Sequence, residues 1–278
     1  MKKFTAEKEI GLSRFLLDKY AGALKYGALM KIYRKKDVRV NGKRTDSDIR
    51  LFPGDVVECY YDADGATCSV VYADDNVVVC DKPSGIESSA FFEIVKTDYP
   101  SAIFTHRLDR NTSGLMIFAL NEKAYAELFH AFKHRSFDKY YTACVYGWFD
   151  EKNGVLKDYL TKDEKAGRVF VSSEKKRGSL MIETGYEELS RGEKSSVLSV
   201  KLYTGRTHQI RAHLAYYGHF VIGDGKYGDD RINRQFGVKR QLLRATKLVL
   251  RFNEGDYLYY LNGKSFEVDA RDVFKGLK

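Results

Sequence analysis

The sequence predicts an α+β protein in two parts, a small basic domain over residues 1–62 and a large domain over residues 70–278. Three observations lead there. Short apolar or β-branched runs recur after residue 70, at Val77–Cys80, Leu115–Leu120, Lys139–Gly147 and Leu198–Leu202, with helix-like stretches between them. Charge is placed unevenly: residues 1–60 hold 14 Lys and Arg against 8 Asp and Glu, whereas the other 218 residues are nearly balanced. Between the two parts, residues 61–69 are polar and glycine-containing and read as a linker.

The N-terminal part carries the electrostatic handle. Ser13 is placed to cap a helix whose apolar positions Phe15, Leu16, Tyr20 and Leu24 share a face. A second helical stretch sets Leu29, Met30, Ile32 and Tyr33 among Lys31, Arg34, Lys35 and Lys36. In Val38-Arg39-Val40-Asn41-Gly42-Lys43-Arg44, β-branched residues alternate with arginine and Asn-Gly follows, a strong hairpin signal. Phe52-Pro53-Gly54-Asp55 makes a further turn before the strand from Val56 to Tyr60.

The most informative stretch of the large domain runs from His106 to Gly114. Asp109 stands between Arg107 and Arg110, and Asn111-Thr112-Ser113-Gly114 supplies turn chemistry before a buried strand. Asp109 therefore sits on a loop entering a rigid element, where functional groups are often carried. A nearby arginine favours an ionised carboxylate, ready to act as nucleophile or base. Asn121 caps a helix through Ala124, Leu128 and Phe132. Residues 150–195, charged and rich in glycine, read as hairpins with exposed loops.

Composition limits the class of function. The net charge of +9 and pI near 9.1 point to a polyanionic partner. No stretch approaches the roughly 18 apolar residues of a membrane span, and the first residues lack a signal-peptide core. Cys59, Cys68, Cys80 and Cys144 show no CxxC spacing, so four thiols and a cytoplasmic location are expected. Two motifs mislead. Gly223-Asp224-Gly225-Lys226-Tyr227-Gly228 fits G-x-G-x-x-G, but Asp229 to Asn233 make no apolar helix after it, so no nucleotide cofactor is expected. His130 and His134 stand four apart like a zinc pair, but Ala131 replaces the glutamate of the metalloprotease pattern, and no metal is expected.

The string from His106 to Ala119, HRLDRNTSGLMIFA, closely resembles the signature of RluA-type pseudouridine synthases, which isomerise uridine in RNA. Lys82-Pro83-Ser84-Gly85 resembles the motif preceding that loop, and Lys139 to Gly147 resembles the family's K-x-Y-x-A-x-V-x-G string. Gly205 to Arg211 resembles G-R-T-H-Q-I-R, with a match continuing through GHFVIGDGKYG and KRQLLRATKL, where Arg244 replaces the family's usual histidine. RKKDVRVNGKR and the later PGDVV are similar to the S4 RNA-binding module, although Leu24-Lys25 stands where many such modules have Ser-Arg.

The resemblance implies a mixed, mainly antiparallel catalytic sheet with flanking helices behind a small α/β S4-like domain. It implies Asp109 as the reacting carboxylate, Tyr141 as the residue stacking on the flipped uracil, and Arg211 as the partner of Asp109. Arg107 would fill the space the base vacates. Arg14, Lys35, Lys36, Arg39, Lys43, Arg44, Arg206 and His208 would contact RNA, with neither cofactor nor metal. A cytoplasmic monomer acting on large-subunit (23S) ribosomal RNA is implied. Three other readings use the same residues: a synthase acting on tRNA, a non-catalytic RNA-binding or ribosome-assembly factor, and an N-glycosidase releasing the base.

Overall fold

A computed structural model describes residues 2–20, 24, 26–60, 68–164, 166–275 and 277, with the side chains of Lys2, residues 26–28, Lys31 and Lys35 outside that description. The readings placed on Lys25 and most of the 61–69 linker fall outside the described residues. The chain divides into two compact units, Met1–Thr67 and Cys68–Lys278.

The first unit contains β1 (Lys2–Thr5), β2 (Ile10–Gly11), α1 (Leu12–Lys19), α2 (Tyr26–Lys35), β3 (Val38–Val40), β4 (Lys43–Thr45), β5 (Arg50–Leu51) and β6 (Val56–Cys59). Four strands form an antiparallel sheet in the order β1-β6-β3-β4. The hairpin between β3 and β4 turns on Asn41 and Gly42, both at positive φ (50° and 78°), the conformation that Asn-Gly adopts at least cost. Val38, Val40, Val57 and Cys59 pack inward against Leu12, Phe15, Leu16 and Ile32 of the helices. Alternation then puts Arg39, Arg44 and Glu58 in register on the opposite face, with Lys3 bonded to Glu58 at 3.4 Å.

Two expectations are corrected here. Ser13 does not cap α1: Gly11 is the cap residue, and the carboxylate of Asp48 accepts the Ser13 N–H at 2.8 Å. Ser13 Oγ is instead buried against the Tyr33 hydroxyl. The helix also stops at Lys19, so Leu24 joins the core from outside it.

The second unit is built on an eleven-stranded sheet. In chain order its elements are β7 (Ser69–Ala73), β8 (Val77–Lys82), α3 (Ser88–Asp98), β9 (Ile103–Phe104), β10 (Ser113–Ala119), α4 (Glu122–His134), β11 (Asp138–Tyr146), β12 (Asn153–Asp163), β13 (Arg168–Ser172), β14 (Leu180–Arg191), β15 (Ser195–Leu202), α5 (Gln209–Tyr216), α6 (Asp230–Phe236), β16 (Leu243–Val249), β17 (Ser265–Glu267) and α7 (Arg271–Phe274). The spatial order is β13-β12-β14-β15-β11-β16-β10-β8-β7, with β9 on β10 and β17 on β16. Every pairing is antiparallel except β10 with β16. The molecule is thus α+β and mainly antiparallel.

All seven residues of β10 are buried. One face of this region packs on Leu128 and Ala131 of α4, and the other on Phe91 and Val95 of α3. Farther along the sheet, Ile210 and Leu214 of α5 pack on Val200 and Leu202. Asn121 Oδ1 accepts the Ala124 N–H, capping α4.

All four cysteines read as thiols from their spacing, yet Cys68 and Cys80 form a disulfide. Antiparallel pairing sets Val70 beside Cys80, and this register brings the two Cα atoms to 6.2 Å. Cys59 and Cys144 are buried thiols. A helix, α6, does follow the glycine-rich string, because Asp229 accepts the N–H groups of Arg231 and Ile232. It is short and polar, unlike the apolar helix of a dinucleotide fold. Arg244 acquires a role: it donates to Asp81 and to the carbonyl of Asp269, joining β8, β16 and the start of α7.

Candidate active site

Asp109 lies on the loop between β9 and β10, and hydrogen bonds sew that loop in place at successive residues. Ser88 Oγ donates to the Leu108 carbonyl at 2.7 Å and accepts the Leu108 N–H at 2.9 Å. The Gly85 N–H and Lys82 Nζ both donate to the Arg110 carbonyl. Ser84 Oγ donates to the carbonyl of Asn111, and Gln241 donates to Thr112 Oγ1. Lys82 is wholly buried, its ammonium capping the carbonyls of Pro83 and Ile86 as well. Burial pushes its pKa down to about 8, against the charges of Glu87, Asp109 and Asp81.

Gly114 explains how the loop meets the sheet. It has φ +109° and lies against the backbone of Ala245 in the parallel strand β16, where a Cβ would overlap the Ala245 carbonyl. Only glycine permits both the conformation and the approach. The loop's His106 faces inward: its Nε2 accepts the Ile117 N–H and its ring stacks on Phe132 at 4.4 Å. Burial, aided by Lys139, holds its pKa down to about 3, so this imidazole is neutral.

Arg211 reaches Asp109 from α5. Its Nη1 donates to Asp109 Oδ2 at 2.8 Å, while Nε and Nη2 make a bidentate pair with Asp224 at 2.7 and 2.9 Å. Asp109 Oδ1 accepts no hydrogen bond from the described residues, so one oxygen is anchored and the other open. Burial opposes the charge on Arg211, but Asp224 and Asp109 together outweigh it and hold the guanidinium above its usual pKa. Burial likewise opposes the charge of Asp224; its bonds from Arg211 and from the Lys226 and Tyr227 N–H groups overcome this and lower its pKa. A buried arginine with this pairing is the arrangement that desolvation demands.

Tyr141 extends from β11 at a β-bulge, where the register against β16 shifts between Tyr140 and Tyr141. Its phenol is pushed well up, by burial first and by the charge of Asp109 second, and is therefore neutral. Tyr140 points to the other side of the sheet, beside Lys201. Asp109, Tyr141 and Arg211 line one cavity of about 300 Å³, at the small end of the range for ligand sites. Arg107 and Arg206 are exposed at its wall, and His208 is half-buried with Nε2 3.9 Å from Asp109 Oδ2. Six residues singled out from the sequence therefore share one site.

The remaining ones belong to the first unit. Arg14 is exposed and bonded to Asp18, Lys36 pairs with Asp46, and Lys43 and Arg44 are exposed on β4. Arg39 lies over the Tyr60 ring, and its buried Nε has no hydrogen-bond partner among the described residues. The side chain of Lys35 is outside the description. Asp224 was given no role from the sequence, and Lys82 and His106 entered it only as members of their motifs. Asp224 was legible in principle, as an acid fixed between two glycines just after the buried pair Val221-Ile222.

Comparison with known proteins gives a consistent result. A family model described as RNA pseudouridylate synthase matches residues 76–216. Ribosomal large subunit pseudouridine synthase C of Vibrio cholerae is 32% identical over 249 residues, covering 78% of each chain. The protein of that name from Pasteurella multocida is 31% identical over 273 residues, covering 86% of this chain and 82% of that one. Among solved structures, human RNA pseudouridylate synthase domain containing 1 superposes with a TM-score of 0.60 at 25% identity, over 73% of this chain and 89% of that one. No described helix is long and apolar enough to cross a membrane.

Proposed function

Since the chain belongs to the RNA pseudouridylate synthase family, we propose that Asp109 is the carboxylate that reacts with the target uridine and that the substrate is large-subunit (23S) ribosomal RNA. The reaction breaks the N1–C1′ bond, turns the uracil and rejoins it through C5. C5 loses a proton and N1 gains one, so atoms and charge balance without redox change. The observation that carries the assignment is the fixed carboxylate of Asp109. Arg211 holds Oδ2, Asp224 holds Arg211, and Oδ1 is left open toward the cavity. That oxygen either attacks C1′ or takes the 2′ proton, and both routes release the base where it remains trapped.

Tyr141 stacks on the flipped uracil. Its neutral phenol handles the C5 proton only as a relay, accepting one as it gives up its own. A paired uridine must leave the helix at a cost of a few kcal/mol, and Arg107 at the cavity wall fills the space it vacates. The first unit, with Arg39 and Arg44 in register on one face, serves as an S4-like RNA-binding domain. The choice of ribosomal RNA is supported by the names of the bacterial relatives, which match this chain over both units. A cytoplasmic monomer completes the reading.

The test is tritium release from RNA labelled at uridine C5, using 23S fragments and tRNA transcripts. Wild type should release label from one RNA class, and Asp109→Asn should lose three or more orders of magnitude while still binding RNA, as expected for loss of a nucleophile. Near-wild-type turnover by Asp109→Asn would overturn the role of Asp109. Free uracil among the products would replace the synthase with a glycosidase.

A further inference from the structure

The string Gly223 to Gly228 is unexplained by phosphate binding, yet two of its side chains meet the site. Asp224 holds Arg211, as described. Tyr227 touches the site differently. Its ring lies 5.2 Å from the Arg211 guanidinium and 5.8 Å from that of Arg168. Its hydroxyl accepts the Val169 N–H at 2.9 Å and is 2.9 Å from His208 Nδ1.

A phenol has one proton to give. With the Val169 N–H already on its oxygen, that proton finds its acceptor at His208 Nδ1. The neutral imidazole then carries its own proton on Nε2. The opposite tautomer fails twice. It leaves the phenolic proton without an acceptor among the described residues, and it turns the Nε2 lone pair toward the carboxylate of Asp109, 3.9 Å away. Both arguments place the proton on Nε2, on the cavity side.

We infer that Tyr227 is a positioning residue that fixes His208 as a neutral Nε2–H donor directed at the reacting carboxylate and the substrate held beside it. The inference rests on the role of Asp109 proposed above. Neutrality matters because a cationic His208 would add a second full positive charge beside Asp109 Oδ2, next to Arg211, and so weaken the carboxylate as nucleophile or base. The charged groups facing His208 divide: Arg211 from its own helix and Lys226 from the glycine-rich loop oppose protonation, whereas Asp109 from the catalytic loop and Asp224 favour it. Burial sides with the first group and prevails, lowering the pKa of His208. His208 has a φ of +54° at the start of α5, and its side chain lines the cavity.

The experiment is long-range proton–nitrogen NMR on full-length protein labelled with ¹⁵N-histidine. The chain has six histidines, and His208 is identified by the signal lost in His208→Gln. Wild type should show His208 as the Nε2–H tautomer at neutral pH. Tyr227→Phe removes the donor to Nδ1, so His208 should titrate nearer its ordinary value and tautomer purity should fall. Turnover should drop about tenfold, the scale of one lost hydrogen bond, with the loss deepening toward acid pH.

An Nδ1–H tautomer in wild type would overturn the inference. So would a folded Tyr227→Phe protein with wild-type spectrum and pH profile. If Tyr227→Phe does not fold, the wild-type spectrum decides alone. Because the tautomer is read without turnover, failure here is separable from failure of the Asp109 assignment, which Asp109→Asn tests by rate.

Discussion

Replacing Asp224 by asparagine probes how the site keeps its charge buried. The Asp224 side chain is fully enclosed, and Arg211 makes three charge-assisted hydrogen bonds, two of them to Asp224. The amide oxygen of asparagine would take the Oδ1 position, where Nη2 and the N–H groups of Lys226 and Tyr227 all donate. The NH₂ group would then face Arg211 Nε, donor against donor. Removing one partner of a buried ion pair costs about 3–5 kcal/mol. Asp109 still pairs with the guanidinium from the far side, so the lower end, about 3 kcal/mol, applies. At roughly 2–4 °C per kcal/mol for a unit of this size, the melting transition of the second unit should fall by about 6–12 °C.

Activity should fall further than stability at an assay temperature where the variant is folded. Arg211 loses its Nε anchor and meets an amide donor in its place, and a misplacement of about 1 Å can cost roughly 100-fold. The assay pairs calorimetry with tritium release at saturating RNA. An Asp224→Asn protein that melts within 1 °C of wild type and turns over normally would refute the claim that Asp224 compensates Arg211. The pH dependence has a definite sign. The folded-state pKa of Asp224 is lowered, so its stabilisation is present above the unfolded value and lost as pH falls through the folded one.

Two further outcomes are expected. Lys82 has its folded pKa depressed to about 8, so the unfolded chain binds more protons between there and its ordinary value near 10.5. Wild type should gain stability as pH rises through that window, and Lys82→Met should lack the gain while being less stable overall, because the carbonyls of Pro83 and Ile86 lose the ammonium that donates to them and that of Arg110 keeps only the Gly85 N–H; urea titrations at pH 7.5 and 9.5 check both points. Arg44→Ser should lower the slope of log Kd against log salt by roughly 0.7–0.9, one phosphate contact, with kcat unchanged.

What was legible in the sequence was local. The loop of Asp109 announces itself because turn residues abut an apolar run, and strand alternation sends Tyr140 to the face opposite Tyr141, whose role came from the resemblance. Arg211, Arg107 and His208 came with the resemblance. What was not legible depends on partners distant in the chain. The acceptor for the Ser13 N–H is 35 residues away, and the Cys68–Cys80 pair needs the register of two strands. Arg244 finds Asp81 across 163 residues, so nothing near it explains why an arginine stands there. Asp224 was concealed by glycines whose pattern suggests a phosphate loop.

The position of β16 has a consequence for how the protein comes into being. Strands β10 and β11 are neighbours in the chain, joined through α4, but they do not pair; residues 243–249 lie between them. On one side stands the strand that the Asp109 loop enters, and on the other the strand bearing Tyr141. During synthesis the two halves of the site wait about a hundred residues for the strand that joins them, and pairings of such separation form slowly. The nascent chain cannot hold Asp109 against Tyr141 until β16 has left the ribosome. A chain ending before Leu243 would retain every residue of the Asp109–Tyr141–Arg211 trio and still have no assembled site.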